Sequence, residues 1–124
     1  MASLGPVVPL LRIFDEQKAR AFYVDFLGFK VDFEHRLGPN FPLYLGVSHS
    51  NCHLHLTEHH GDASSGAQVR IEVDDVAAFV ADLAARNDRY VKPGKPELRP
   101  WGTIKITITD PFANRLTFFQ QTLE

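Results

Sequence analysis

The sequence predicts an α+β fold in which two tandem strand–helix–strand–strand–strand modules build a curved mixed sheet with helices on its outer face. Three observations predict it. The segments "LRIFDEQKARAFYVDFLGF" and "VRIEVDDVAAFVADLAARN" share one pattern: an apolar strand, an acidic cap, and a helix with an aromatic residue in its middle. Repetition on this scale sets the architecture before any single residue does. The strands that follow alternate, so apolar and polar side chains fall on opposite faces. Only "HGDASSG" (His60 to Gly66) is small, polar and linker-like between periodic regions.

The elements follow in order. "VVPLLRIF" (Val7 to Phe14), bounded by Pro6 and Asp15, reads as a strand. Asp15 is a good N-cap, because its carboxylate can accept from free N–H groups of a first helical turn. Ala19, Phe22, Tyr23, Phe26 and Leu27 then form one apolar helical stripe, ended by Gly28. "FKVDFEHR" alternates, with Val31 and Phe33 expected on one face, and "LGPNFP" is a turn. "LYLGVSH" and "CHLHLTEH" are two more strands, joined at "SHSN". The second module repeats this: strand "QVRIEV", a helix capped at Asp74 and Asp75, a weak strand near Tyr90 and Val91, a proline-rich loop from Lys92 to Gly102, then "TIKITIT" and "NRLTFFQ" across the turn "DPFA". The expected organisation is one domain over residues 1–124: module one to about residue 60, a linker over 60–66, and module two over 67–124.

Composition bounds the function. The 124 residues are 44% hydrophobic and 23% charged, an ordinary globular balance. A net charge of −2 argues against a nucleic-acid partner held by a basic field. No run of 18 apolar residues suggests a membrane span. The segment from Met1 to Leu11 lacks the basic and apolar regions of a secretory signal, so a reduced, cytoplasmic setting is expected. The single cysteine, Cys52, precludes an internal disulfide or a thiolate cluster within one chain, and is expected to pack as a small apolar residue.

The strand "HLHLTEHHGD" holds four of the six histidines. Alternation splits it. Leu54 and Leu56 go to the core with Val69, Ile71, Val73, Ile104, Ile106 and Ile108. His53, His55 and Thr57 go to the opposite face, and so do Gln68, Arg70, Glu72, Lys105 and Thr107. Such a face is either simply solvated or the lining of a groove; the duplication favours the groove, since two half-sheets can wrap a shared space. His59 and His60 fall in the linker region as exposed imidazoles.

The segments "FDEQKARAFYVDFLGF" and "DPFANRLTFF" resemble signatures of the vicinal oxygen chelate superfamily, which includes glyoxalase I, extradiol dioxygenases, fosfomycin-modifying enzymes and bleomycin-resistance proteins. Ala113 stands where that pattern has glycine. The resemblance covers nearly the whole chain and implies paired βαβββ modules around a groove. The metal positions of that superfamily carry over to Val8, His55, Gln68 and Thr117. Only His55 is a good ligand, and a catalytic divalent site needs about three. No metal or other cofactor is therefore expected.

Two features resemble the bleomycin-resistance branch: "VVPLLR", with Pro9 inside the first strand, and "PWGTIKITITDPFANRLTFF". The resemblance implies a homodimer with an exchanged N-terminal arm at Pro9 and two grooves between subunits. It implies that a bleomycin-type glycopeptide is bound and sequestered without chemical change. Trp101 and Phe33 would stack on the flat tail of the ligand, with Phe41 nearby. Glu72 would attract a cationic end, and His53 and His55 would bond polar groups. Arg12, Arg70 and Lys105 on the same face suit an anion better. Two alternatives stand beside this: a lyase or dioxygenase with an atypical metal site at His55, and a metal-free enzyme using His55 as a base oriented by Arg70 or Glu72.

Overall fold

The structure, a computed structural model, describes residues 2–86, 97–98 and 103–121. Its elements run β1 (Leu10–Arg12), α1 (Glu16–Ala19), a π-helical continuation (Arg20–Phe26), β2 (Lys30–His35), β3 (Tyr44–His49), β4 (Cys52–Thr57), β5 (Gln68–Glu72), α2 (Val76–Arg86), β6 (Glu97–Leu98), β7 (Thr103–Thr109) and β8 (Arg115–Gln121). They form two four-stranded mixed sheets, ordered β1-β4-β3-β2 and β5-β8-β7-β6. In each, the first strand lies parallel to the last, and the remaining pairs are antiparallel. The duplicated pattern in the sequence is thus duplicated topology. The expected strand at Tyr90 and Val91 lies outside the described residues.

β1 is shorter than the apolar run that predicts it. Pro9 lies before the strand rather than inside it, and its carbonyl accepts from His55 N at 3.0 Å. Proline has no N–H to give to a ladder, so regular pairing begins only at Leu10.

Asp15 caps α1 as expected, with Oδ1 accepting from Lys18 N at 2.9 Å. The helix then widens: Leu27 N donates to Phe22 O at 2.9 Å, five residues back. Gly28 takes the left-handed conformation (φ 87°), and Phe29 N reaches back to Tyr23 O at 2.9 Å, closing the helix end. All five residues of the apolar stripe are buried. α2 covers the second sheet through Phe79, whose ring lies 4.6 Å from that of Phe118.

The β7–β8 turn fastens the modules together. Asp110 is buried, and Oδ1 accepts from the backbone N–H groups of Phe112 and Asn114, both at 2.8 Å. Its Oδ2 accepts from Tyr23 Oη at 2.6 Å, on the first-module helix, and from Asn114 Nδ2 at 2.9 Å. Asn114 Nδ2 also donates to Arg12 O at 2.9 Å, and Asn114 Oδ1 accepts from Ala67 N at 3.2 Å. One turn therefore holds β1, the first helix and the start of β5. Ala113 sits at φ 71°, the left-handed conformation that explains why glycine is usual there. A second tie comes from Arg86, which donates through Nη1 to Phe26 O at 2.9 Å.

Burial, then the charge of Asp110 and its hydrogen bond, hold the Tyr23 phenol well above its ordinary value. A phenol whose folded value is raised stabilises the fold fully below its unfolded value, near pH 10, and loses that contribution as pH climbs toward the folded value. Tyr23→Phe removes a hydrogen bond to a buried carboxylate and is expected to cost about 1.5–3 kcal/mol near neutral pH. The gap between wild type and variant should shrink above about pH 10, as urea unfolding across that range would record.

Candidate functional site

Three strands of the first sheet build an aromatic wall on the face away from the core. Leu45 and Val47 of β3 point inward, so Tyr44, Gly46 and Ser48 share the other face. On β4, His53 pairs with Ser48, His55 with Gly46 and Thr57 with Tyr44, which places both strand histidines there. On β2 a bulge changes the register. Val31 pairs with inward-facing Val47, Phe33 pairs with Gly46, and Asp32 is the extra residue between them. The expectation that Val31 and Phe33 share a face is therefore corrected. The bulge turns Phe33 onto the histidine face beside Asp32, as one extra residue inverts every side chain after it.

Gly46 is what lets Phe33 lie down. A Cβ there would overlap the Phe33 ring. With none, Phe33 sits edge-on to His55 (centroids 5.2 Å, 84°) and nearly parallel to Tyr44 (6.2 Å, 12°). Tyr44 Oη lies 2.7 Å from His55 Nδ1, and its ring is edge-on to the imidazole at 5.2 Å. Partial burial, and secondarily the charge of Asp62, raise the Tyr44 phenol above its ordinary value. Where that phenol donates to Nδ1, the imidazole proton sits on Nε2. Phe33 is 44% exposed, so the wall is open to a ligand.

Beside His53 lies a cleft of about 620 Å³ along the edge of β5, which no other described strand pairs. Pro9, His53, Arg70 and Glu72 line it, so the structure brings these four expected residues together. His53 and His55 share one face of β4, so one lines the cleft and the other belongs to the wall. The helix side of the cleft is acidic, with Asp74, Asp75 and Asp82, and its floor includes Phe29, Ile71 and Phe118.

At the cleft, the Arg70 guanidinium lies 4.5 Å over the Phe119 ring. The remaining expected residues fall elsewhere. Lys105 stands across β8 from Glu72, both opposite Phe119. Phe41 is half-exposed at a separate, shallow pocket with Arg12 and Phe14, away from Phe33. Trp101 lies outside the described residues. Neither Arg70 nor Glu72 is on a strand next to His55, whose neighbours are Leu10 and Gly46. The orienting partner of His55 is Tyr44, which corrects the pairing expected from sequence.

Of the carried-over metal positions, Gln68 Oε1 accepts from Arg115 Nη2 at 3.2 Å, and Thr117 Oγ1 bonds Thr107 Oγ1 at 3.0 Å. Among the described residues no three His, Cys, Asp or Glu side chains converge to hold an ion. Cys52 is half-buried against the core, and that burial raises its thiol. No helix among the described residues is long and apolar enough to cross a membrane.

Paired β-α-β-β-β sheets of this kind define the glyoxalase/bleomycin-resistance fold, and solved structures match it across nearly the whole chain. An antibiotic binding protein from Streptomyces sp. CB03234 is 26% identical, with 98% of each chain covered and a TM-score of 0.77. A glyoxalase/bleomycin resistance protein from the same organism is 25% identical, covering 90% of this chain and 96% of that one, with a TM-score of 0.70. A bleomycin resistance determinant encoded on the transposon Tn5 shares the fold at 24% identity, covering 97% of this chain and all of that one, with a TM-score of 0.75. No match was found among curated proteins. The family model for glyoxalase superfamily proteins matches residues 3–123. The chain belongs to that superfamily.

Gly46→Ala should push the Phe33 ring off its seat. The ring-current contribution of Phe33 to the His55 ring protons is then expected to be lost in the NMR spectrum, leaving that of Tyr44, while the fold persists. Unchanged His55 shifts would contradict the packing described.

Proposed function

We propose that the protein binds a flat aromatic small molecule of the antibiotic class and holds it without making or breaking a bond. The observation that carries this is the open Phe33–Tyr44–His55 wall; His53, on the same face of β4, stands at a cleft large enough for a small-molecule ligand. Aromatic walls favour flat ligands because stacking adds to burial of apolar area. The acidic side of the cleft suits a cationic end. That combination supports the finer form of the proposal, a bleomycin-type glycopeptide, and the likeness to an antibiotic binding protein points the same way.

The same proposal includes a homodimer. Leu4 and Val7 are almost fully exposed, and among the described residues the outer edge of β5 pairs no strand, beside a cleft with an apolar floor. An arm exchanged around Pro9 would cover apolar side chains that a lone chain leaves in water. Trp101, the chain's one tryptophan, is proposed as a further stacking residue.

A second reading is favoured by one contact, the His55–Tyr44 hydrogen bond, which could orient an imidazole base for metal-free catalysis. A single titration separates the two. Bleomycin and other flat antibiotics would be added while Trp101 fluorescence is followed, and the ligand recovered for mass spectrometry. Saturable micromolar binding with unchanged ligand is expected, weakened by about tenfold in Phe33→Ala. Converted ligand would favour the enzyme, and no binding of any flat aromatic ligand by folded protein would remove the proposal.

A further inference from the structure

The bulge in β2 does more than aim Phe33. In a regular strand Asp32 and Glu34 would share a face. Here Glu34 pairs with inward-facing Leu45 and its carboxylate meets Arg20 Nη2 at 3.3 Å, on the helix side. Asp32 lies on the opposite side, where Ser48 Oγ donates to Oδ1 at 3.1 Å. Ser48 is 2% exposed, so it fixes the carboxylate from beneath. Among the described residues the other oxygen, Oδ2, has no hydrogen bond; His53 Nδ1 lies 3.9 Å from it, beyond hydrogen-bond range. Lys30 is 3.9 Å from Oδ1 and mostly exposed, a loose and screened pair that a ligand can displace.

Asp32 is thus an oriented carboxylate with one acceptor oxygen that no described residue hydrogen-bonds, next in sequence to the ring of the aromatic wall. We infer that Asp32 is a specificity-determining residue: it selects flat aromatic ligands that carry a positive charge or a charged N–H group at the edge of the ring system. This rests on the flat-ligand proposal and adds to it the residue that reads charge. The physical basis is that a hydrogen bond to an ionised carboxylate is about twice as strong as a neutral one. The wall supplies area to any flat molecule, cationic or not; Asp32 supplies discrimination. Bulges recur beside binding sites because they re-aim a side chain in this way.

The test uses two flat probes of the same ring system, 9-aminoacridine, which is a cation at neutral pH, and acridine, which is neutral. Their affinities are measured by calorimetry on the full chain. Wild type is expected to prefer the cation by about tenfold, and the preference should weaken as salt is raised. Asp32→Asn should bring the ratio of affinities close to one. Glu34→Gln makes the same change in net charge on the same strand but on the other face, and should leave the ratio high. Melting curves would show that both variants are folded. A wild-type ratio near one, a ratio unchanged in Asp32→Asn, or an equal fall in Glu34→Gln would each overturn the inference. If neither probe binds the folded protein, the flat-ligand proposal itself fails and the inference falls with it; equal binding of both sinks only the inference.

Discussion

The arrangement of this protein depends on one buried carboxylate. Asp110 takes four hydrogen bonds at the β7–β8 turn, and through Tyr23 and Asn114 it reaches both modules. A buried carboxylate costs free energy unless its lone pairs are filled, and here they are. The same constraint explains the residues around it. Asn114 is needed because it can donate to Arg12 O and accept from Ala67 N at once. Tyr23 is needed because a phenylalanine would leave one oxygen short of a donor. The turn fixes the end of β1, the start of β5 and the first helix relative to one another, and so sets the cleft between the sheets.

Within that frame, the character of the site comes from two small departures in regular structure. A bulge at Asp32 puts an acid and an aromatic on the same face, and a glycine at position 46 gives the aromatic somewhere to lie. Tyr44 and His55 then complete the wall from adjoining strands. Each departure locally weakens a sheet, by an interrupted ladder or a missing side chain. Both occur where the face is open to a ligand rather than where it packs.

Much of this was legible in the sequence. The duplicated pattern from Leu11 and from Val69 predicts the paired topology, and Asp15 and Gly28 bracket the first helix as their chemistry requires. The split of the His53–Asp62 stretch into core leucines and face histidines follows from alternation alone. The alternation of Leu43, Leu45 and Val47 with Tyr44, Gly46 and Ser48 was equally available, and would have pointed to Tyr44 as a neighbour of His55. The bulge is not legible, because period-two alternation assumes an uninterrupted ladder and so puts Val31 with Phe33 and leaves Asp32 on the other face. The widening of the first helix after Ala19 was hidden for a similar reason, since five buried residues satisfy an α-helical stripe as well as a π-helical one. That Arg70 and Glu72 do not stand beside His55 depends on strand order, which local pattern does not encode.

His55 belongs to an aromatic surface and is held by Tyr44, while His53, on the same face of β4, lines an acidic cleft. The most direct measurement is a map of backbone amide shifts during titration with 9-aminoacridine. If the wall is the binding surface, the largest changes fall at Phe33, Gly46 and His55, with smaller ones at His53 and Arg70. Changes confined to the patch of Phe14 and Phe41, with the wall silent, would contradict the account.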